Sequence, residues 1–323
     1  MILTATQGDA RGVLALSDGR AGNARQAHAL AAALAPAPGG LVLVPKAPWR
    51  WLAPRRLPGD RGAFGPEFAA LLAAPPALAV GCGRQAALAT RILRGRGARV
   101  VQLLDPRLPT QHWNLVVAPE HDGLRGGNVI SLVGSLHPVD DAWLARARDA
   151  FPDIANLPTP RIAVLVGGPS AHAGFGVADF EALMAAAEGM AARAGGSLLV
   201  TASRRTPEAV RAALRARPRR VPTLAWVDAA DGANPYAGLL AWADRIACTA
   251  DSVNMLSEAC ATAAPVFVQH PGAMRGRPRR FIDALLARDR IRPLDAAALP
   301  FEVQPLRETT RVAAEVRARL GLR

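Results

Sequence analysis

Residues 244–269 read DRIACTADSVNMLSEACATAAPVFVQ. Two apolar runs, DRIACT and APVFVQ, flank the segment DSVNMLSEAC, which opens on Asp251, Ser252 and Asn254 and carries Glu258 about two turns in. A serine just before a helical pattern is an N-cap, because its side-chain oxygen accepts from a backbone N–H of the first turn. The flanking runs are apolar throughout rather than alternating, as strands covered on both faces are. Strand, capped helix and strand make a βαβ unit, so the two strands are expected to run parallel.

The same alternation extends outward in both directions. The first half offers strands at VLALSD, LVLVPK, LAVGCG, RVVQLLD and LVVAP, with VISLVG as a sixth, and the second half at RIAVLVGG, SLLVTAS, TLAWVD, RIACT and APVFVQ. Between the sets lies DDAWLARARDAFPDIANLPTPR, read as a helix followed by a Pro-rich connector around Pro152 to Pro160. A length of 323 residues suits two domains of about 150 each. The expected class is α/β with two doubly wound, Rossmann-type domains, at residues 1–152 and 161–305. The stretch 306–323 forms an amphipathic C-terminal helix.

The net charge is +13, and it is almost wholly arginine, since Lys46 is the only lysine. Guanidinium forks suit phosphate, although an Ala- and Arg-rich chain also points to a GC-rich, bacterial genome. Cys82, Cys248 and Cys260 stand far apart without a CxxC pair, which excludes a zinc knuckle or a disulfide framework and predicts buried thiols; no metal is expected. The opening MILTATQGDARG lacks a basic region followed by an apolar one, and no apolar run approaches the roughly eighteen residues that a membrane span needs. A cytoplasmic protein is expected.

In open α/β sheets ligands gather beyond the carboxyl ends of the strands. After RIAVLV come Gly167 and Gly168, which let backbone N–H groups approach an anion, with Ser170 and His172 as further donors. After SLLVTA come Ser203, Arg204 and Arg205, then Thr206 as an expected N-cap, Pro207 and Glu208. Two adjacent guanidinium groups beside a helix N-terminus suit a diphosphate. The free N–H groups of the helix capped by Ser252 suit an anion as well, with Asn254 in its first turn. Glu258 is placed to accept from both hydroxyls of a ribose; the plainer reading is a solvated glutamate on an amphipathic helix.

In the first half, Asp18 and Asp105 follow strands and are the carboxylates best placed for general-base work. Asp18 leads into Gly19, Arg20, Gly22 and Asn23, a glycine turn with donors that lets an acceptor approach. In PWRWLAPRR, Trp49 and Trp51 interleave with Arg50, Arg55 and Arg56, a composition that suits an anionic lipid surface. No groove-reading motif accompanies it, so no nucleic-acid partner is expected.

The second half resembles the second domain of GT-B glycosyltransferases, particularly the enzyme that adds N-acetylglucosamine to lipid I. More closely, LSDGRAGNARQAHALAAAL, VLVGGPSAHAGFG, TASRRTP and ADSVNMLSEA, in that order, resemble the mitochondrial fission Elm-type family over residues 13 to about 290. That resemblance implies a GT-B-like pair of Rossmann-type domains with parallel sheets facing a central cleft, and a C-terminal helix crossing back to the first domain. It implies a nucleotide-sugar, possibly UDP-linked, bound by the second domain, and an envelope or lipid-linked acceptor at the first. Plant members are associated with recruiting a dynamin-related GTPase, so a scaffold that has lost catalysis is the competing reading. The lipid I enzyme carries a histidine in its first glycine-rich loop, where this chain has Asn23; His28, one turn into the helix, reads as a packing residue.

Family labels also include a nucleoside-diphosphate-sugar epimerase. Epimerases of the short-chain dehydrogenase type need Tyr-x-x-x-Lys and a GxGxxG loop. Here the only tyrosine, Tyr236, is followed four places later by Leu240, and SDGRAGN lacks the dinucleotide fingerprint. That chemistry is excluded. The expected activity is metal-independent glycosyl transfer by a protein of the cytoplasm, held peripherally at the inner face of the membrane.

Overall fold

A computed structural model describes residues 12–295 and 298–322; the reading of the opening MILTATQGDARG falls, up to residue 11, outside the described residues. The chain divides into two compact units, residues 1–138 with 308–323, and residues 139–307.

In the first unit the elements are β1 (Val13–Ser17), α1 (Ala21–Leu34), β2 (Gly39–Val42), α2 (Trp49–Leu52), α3 (Pro66–Ala73), β3 (Leu78–Cys82), α4 (Arg84–Arg94), β4 (Arg99–Leu103), β5 (Leu115–Pro119) and β6 (Val129–Leu132). The second unit has α5 (Asp141–Ala150), β7 (Arg161–Val166), α6 (Val177–Ala194), β8 (Ser197–Ala202), α7 (Glu208–Ala216), β9 (Thr223–Trp226), α8 (Tyr236–Trp242), β10 (Arg245–Thr249), α9 (Val253–Cys260), β11 (Val266–Gln269), α10 (Gly276–Ala287) and β12 (Ile291–Pro293). Helix α11 (Glu308–Leu320) returns to the first unit.

Among the described residues each unit holds one six-stranded sheet, and all the strand pairs are parallel. The first runs β2-β1-β3-β4-β5-β6 and the second β12-β11-β10-β7-β8-β9. Each order reverses direction once, between β1 and β3 in the first sheet and between β7 and β10 in the second. Such reversals open the crevice where ligands of α/β sheets bind. Helices cover the sheets, so the inner strands are largely buried, β3, β5 and β8 at every residue, whereas the edge strands β2 and β12 keep exposed residues.

On one face of the first sheet, Val312, Ala313 and Val316 of α11 share a core with Ala27, Leu30 and Ala31 of α1. The apolar stripe of the C-terminal helix thus finds its cover there, and Thr309 Oγ1 donates to His137 O at 2.7 Å. In the second unit, Phe180, Leu183 and Met184 of α6 and Val210 and Leu214 of α7 cover one face. Burying a large apolar side chain contributes about 1.5–3 kcal/mol, so these clusters carry most of each unit's stability.

Three sequence expectations change, and one strand is added. The division between units falls at Pro138/Val139 rather than at the Pro-rich connector, because α5 packs on α8: Arg148 Nε donates to Ala241 O and Trp242 Nε1 to Phe151 O. The second strand occupies Gly39–Val42 rather than LVLVPK. Strand β12 was not foreseen, since three residues including Pro293 give no periodicity to read. His28 is exposed rather than packed.

Arg290 is 4% exposed, and among the described residues its Nε and Nη2 donate to backbone carbonyls while its Nη1 has no acceptor. Its Nε donates to Cys260 O at 3.0 Å and its Nη2 to Thr262 O at 2.8 Å and Ala264 O at 3.2 Å, which closes the C-terminus of α9. Burial pulls its pKa below the ordinary guanidinium value, yet the group stays charged against the negative end of the helix dipole. Arg290→Met should therefore cost about 2–4 kcal/mol, because the carbonyls lose charged donors. Urea unfolding at unchanged m-value measures it, and a loss below about 1 kcal/mol would show the guanidinium to be dispensable.

Candidate functional site

The reversal point of the second sheet brings together loops that the sequence singled out. Gly167 and Gly168 follow β7 under unusual crowding. A Cβ on Gly167 would fall 1.9 Å from Asp251 Oδ1 and 2.5 Å from Thr249 Oγ1, and one on Gly168 would fall 2.1 Å from Arg205 O. Glycine is required here by the neighbouring loops of the chain itself.

Hydrogen bonds then tie the strand tips together. The Gly167 N–H donates to Thr249 Oγ1 at 3.0 Å, the Gly168 N–H to Asp251 Oδ2 at 3.3 Å, and Thr249 Oγ1 to Asp251 Oδ1 at 2.5 Å. Arg205 Nη2 forms an ion pair with Asp251 Oδ2, whose side chain is only 5% exposed. Thr206 is not the N-cap of α7, which begins after Pro207. Its hydroxyl instead donates to Val166 O and Gly167 O and accepts from the Ser203 N–H, fastening the β8 loop beneath the β7 loop. Ser203 Oγ accepts from the Arg205 N–H, and Ser170 Oγ accepts from the N–H groups of His172 and Ala173. Arg204 is exposed, and its side chain has no partner among the described residues.

Ser252 caps α9, its Oγ accepting from the Met255 N–H at 3.3 Å. Asn254, in the first turn of α9, is half-buried. Glu258 is 2% exposed, which removes the reading of a solvated glutamate. Its Oε2 accepts from the Tyr236 hydroxyl at 2.6 Å. Sequence reasoning missed this pair: Tyr236 opens α8, twenty-two positions earlier, and no spacing rule links the two. Next to Asp251 lies a cavity of about 100 Å³, walled by Phe175, Ala250 and Met274 with Gln269 and His270.

In the first unit, Asp18 follows β1 at the other reversal point. Its Oδ1 accepts from Asn23 Nδ2 at 3.0 Å and from the Arg20 N–H at 3.1 Å, while Arg20 Nε lies 3.7 Å from its Oδ2. Gly19 has φ +76°, a region that favours glycine. Gly22 and Asn23 form the first turn of α1, and Cys82 Sγ contacts Asn23 Oδ1 at 3.7 Å. Burial pushes the Cys82 thiol up, that of Cys248 up, and that of Cys260 up to about 11. Asp105 follows β4, away from the reversal point, and accepts from the Arg107 N–H at 2.8 Å with Arg107 Nε 3.1 Å away. The two aspartates are thus separated, and Asp18 alone sits at the crevice of its sheet.

The aromatic and basic segment divides. Trp49 packs against the core of the first unit, and Arg56 donates its Nε to Asp60 Oδ2 at 2.6 Å. Trp51 is 63% exposed, and its chain neighbours Arg50, Leu52 and Arg55 are exposed as well; Val42 and Val44 are exposed too. Among the described residues no helix is long and apolar enough to cross a membrane, and no group of three His, Cys, Asp or Glu residues is placed to hold a metal ion.

Two doubly wound parallel sheets, each with its crevice at a strand-order reversal, define a GT-B-like protein. The chain belongs to the Mitochondrial fission ELM1 family, whose sequence profile matches residues 21–320. It is 28% identical over 278 residues to the mitochondrial fission protein ELM1 of Arabidopsis thaliana, an alignment that takes in 77% of this chain and 65% of that longer protein. Among solved structures it is similar to UDP-GlcNAc 2-epimerase from Methanocaldococcus jannaschii, with a TM-score of 0.51 and 13% identity over 95% of this chain and 99% of that one. UDP-N-acetylglucosamine 2-epimerase from Rickettsia bellii gives 0.50 and 11% over 96% of each chain. At such identities the likeness concerns the fold.

The glycine contacts yield a ranking. Gly168→Ala meets a backbone carbonyl, whereas Gly167→Ala meets two side chains that can rotate. Gly168→Ala should cost about 2–3 kcal/mol, and Gly167→Ala less. Melting curves that rank them equally or in reverse would show that the loops are not held in this way.

Proposed function

We propose that the second unit binds a nucleotide-sugar and that the protein transfers the sugar, without a metal, to an envelope or lipid-linked acceptor. What carries this reading is the convergence of the Gly167–Gly168 loop, Arg204, Arg205 and the capped N-terminus of α9 on one reversal point, with Glu258 buried further along the same helix. The loops offer N–H and guanidinium donors to a diphosphate. Glu258 accepts a hydroxyl from Tyr236 and would accept one from a ribose in the same manner. UDP-GlcNAc, after which the two similar epimerases are named, is the first donor to test.

Asp18 is the base in this reading. Asn23 and the Arg20 N–H hold its Oδ1, which fixes the carboxylate at the tip of β1 beside a glycine turn. Charge developing on the leaving diphosphate is met by the guanidinium groups and the helix N-terminus, so magnesium is not required.

Calorimetry and turnover test the two halves of the proposal. Glu258→Ala should weaken UDP more than inorganic pyrophosphate, because it removes ribose contacts alone. Asp18→Asn should lower turnover about a hundred- to ten-thousandfold with UDP affinity nearly unchanged. Equal weakening of both ligands by Glu258→Ala sinks the ribose assignment, and full activity of Asp18→Asn sinks the base. Nucleotide binding with neither transfer nor hydrolysis, with or without magnesium, would favour the scaffold reading.

The exposed Trp51 and Leu52 beside Arg50 and Arg55 form the face we assign to an anionic lipid surface, at the inner side of the membrane. Sedimentation with phosphatidylglycerol vesicles should fall as salt rises, through screening of the headgroups. The double substitution Arg50→Gln, Arg55→Gln should abolish it in a folded protein. Binding unaffected by either treatment would return the segment to ordinary surface.

A further inference from the structure

The anion seat at the β7/β10 reversal point holds an anion of the chain's own. Asp251 accepts from a glycine-loop N–H, a threonine hydroxyl and a guanidinium: Gly168 at 3.3 Å, Thr249 at 2.5 Å and Arg205. That donor set is the one that recognises a phosphate oxygen. The next residue in the chain, Arg204, is exposed, and its guanidinium has no partner among the described residues, which leaves it available to a further charge. Asp251 also lines the cavity of about 100 Å³, which leaves space beside its side chain.

We propose that Asp251 is a resident competitor for this seat: it leaves Arg205 and the Gly168 N–H when a diphosphate enters and returns when the diphosphate leaves. The proposal deepens the nucleotide reading and rests on it for the nucleotide, while the competition itself concerns any diphosphate. The carboxylate lowers apparent affinity by the fraction of molecules in which the seat is open. A weakly charged anion gains too little from one guanidinium to displace it, whereas a diphosphate engages Arg204 and Arg205 together. The device makes the site selective for multiply charged ligands and couples their binding to the β10–α9 loop.

The test is calorimetry with inorganic pyrophosphate and with UDP at fixed ionic strength. Asp251→Asn keeps the shape and removes the charge, and Asp251→Ser serves as a second variant should the first fail to fold. Either should tighten pyrophosphate about tenfold, whereas Arg205→Gln should weaken it. Asp228→Asn, which removes an exposed carboxylate paired with Arg215 in the same unit, controls for net charge and should leave affinity unchanged. Unchanged or weaker pyrophosphate binding by a folded Asp251 variant, or equal tightening by Asp228→Asn, overturns the proposal. Tightened pyrophosphate with no preference for UDP in any variant supports the competitor and sinks the nucleotide reading. UDP bound equally by wild type and both Asp251 variants does the reverse, and absence of all binding sinks both.

Discussion

A single carboxylate holds three loops of the second unit in register. Asp251 follows β10, yet its oxygens engage the Gly168 N–H after β7 and the Arg205 guanidinium after β8, while Thr249 at the end of its own strand donates to it. With a side chain 5% exposed, it is a charge taken largely out of water, and such a group is tolerated only when its lone pairs are met. The crowding around Gly167 and Gly168 follows from that knot, since a methyl group at either position would occupy space taken by Asp251, Thr249 or the Arg205 carbonyl. Thr206 tightens it from below through the Val166 and Gly167 carbonyls. The candidate site is therefore a tied bundle of strand tips rather than a set of free loops.

Tyr236 and Glu258 extend the same logic. A buried carboxylate on the inner side of a helix needs a donor, and the tyrosine hydroxyl supplies one at 2.6 Å. The acceptor that we propose for a ribose hydroxyl is thus already met by the chain's own Tyr236. In the first unit, Asp18 is held instead by its immediate neighbours Arg20 and Asn23, so its position is set locally.

The two units exchange the ends of the chain according to which apolar face needs cover. Helix α5 joins the second unit because its buried face meets α8, and α11 returns to the first because Val312, Ala313 and Val316 complete the core under α1. Composition around the Pro-rich connector pointed to a boundary there, but a boundary lies where few contacts cross, and packing decides that.

What the sequence determined by itself was whatever acts over a few residues. Unbroken apolar runs made the strands buried and parallel, Ser252 capped its helix, paired glycines marked a close approach after β7, and the Arg204–Arg205 dipeptide stood at a strand tip. Strand order, and with it the choice of which tips meet, belongs to the tertiary structure. So does the identity of the group that fills each polar gap: Asp251 reaches Arg205 across 46 positions and Gly168 across 83, and Tyr236 reaches Glu258 across 22. Local periodicity and capping carry no information over such separations, because those contacts are selected by the need to satisfy buried charges once the sheet has closed. For the same reason Thr206 gave up a cap for two carbonyls, and His28, which sequence placed in the core, stands in solvent.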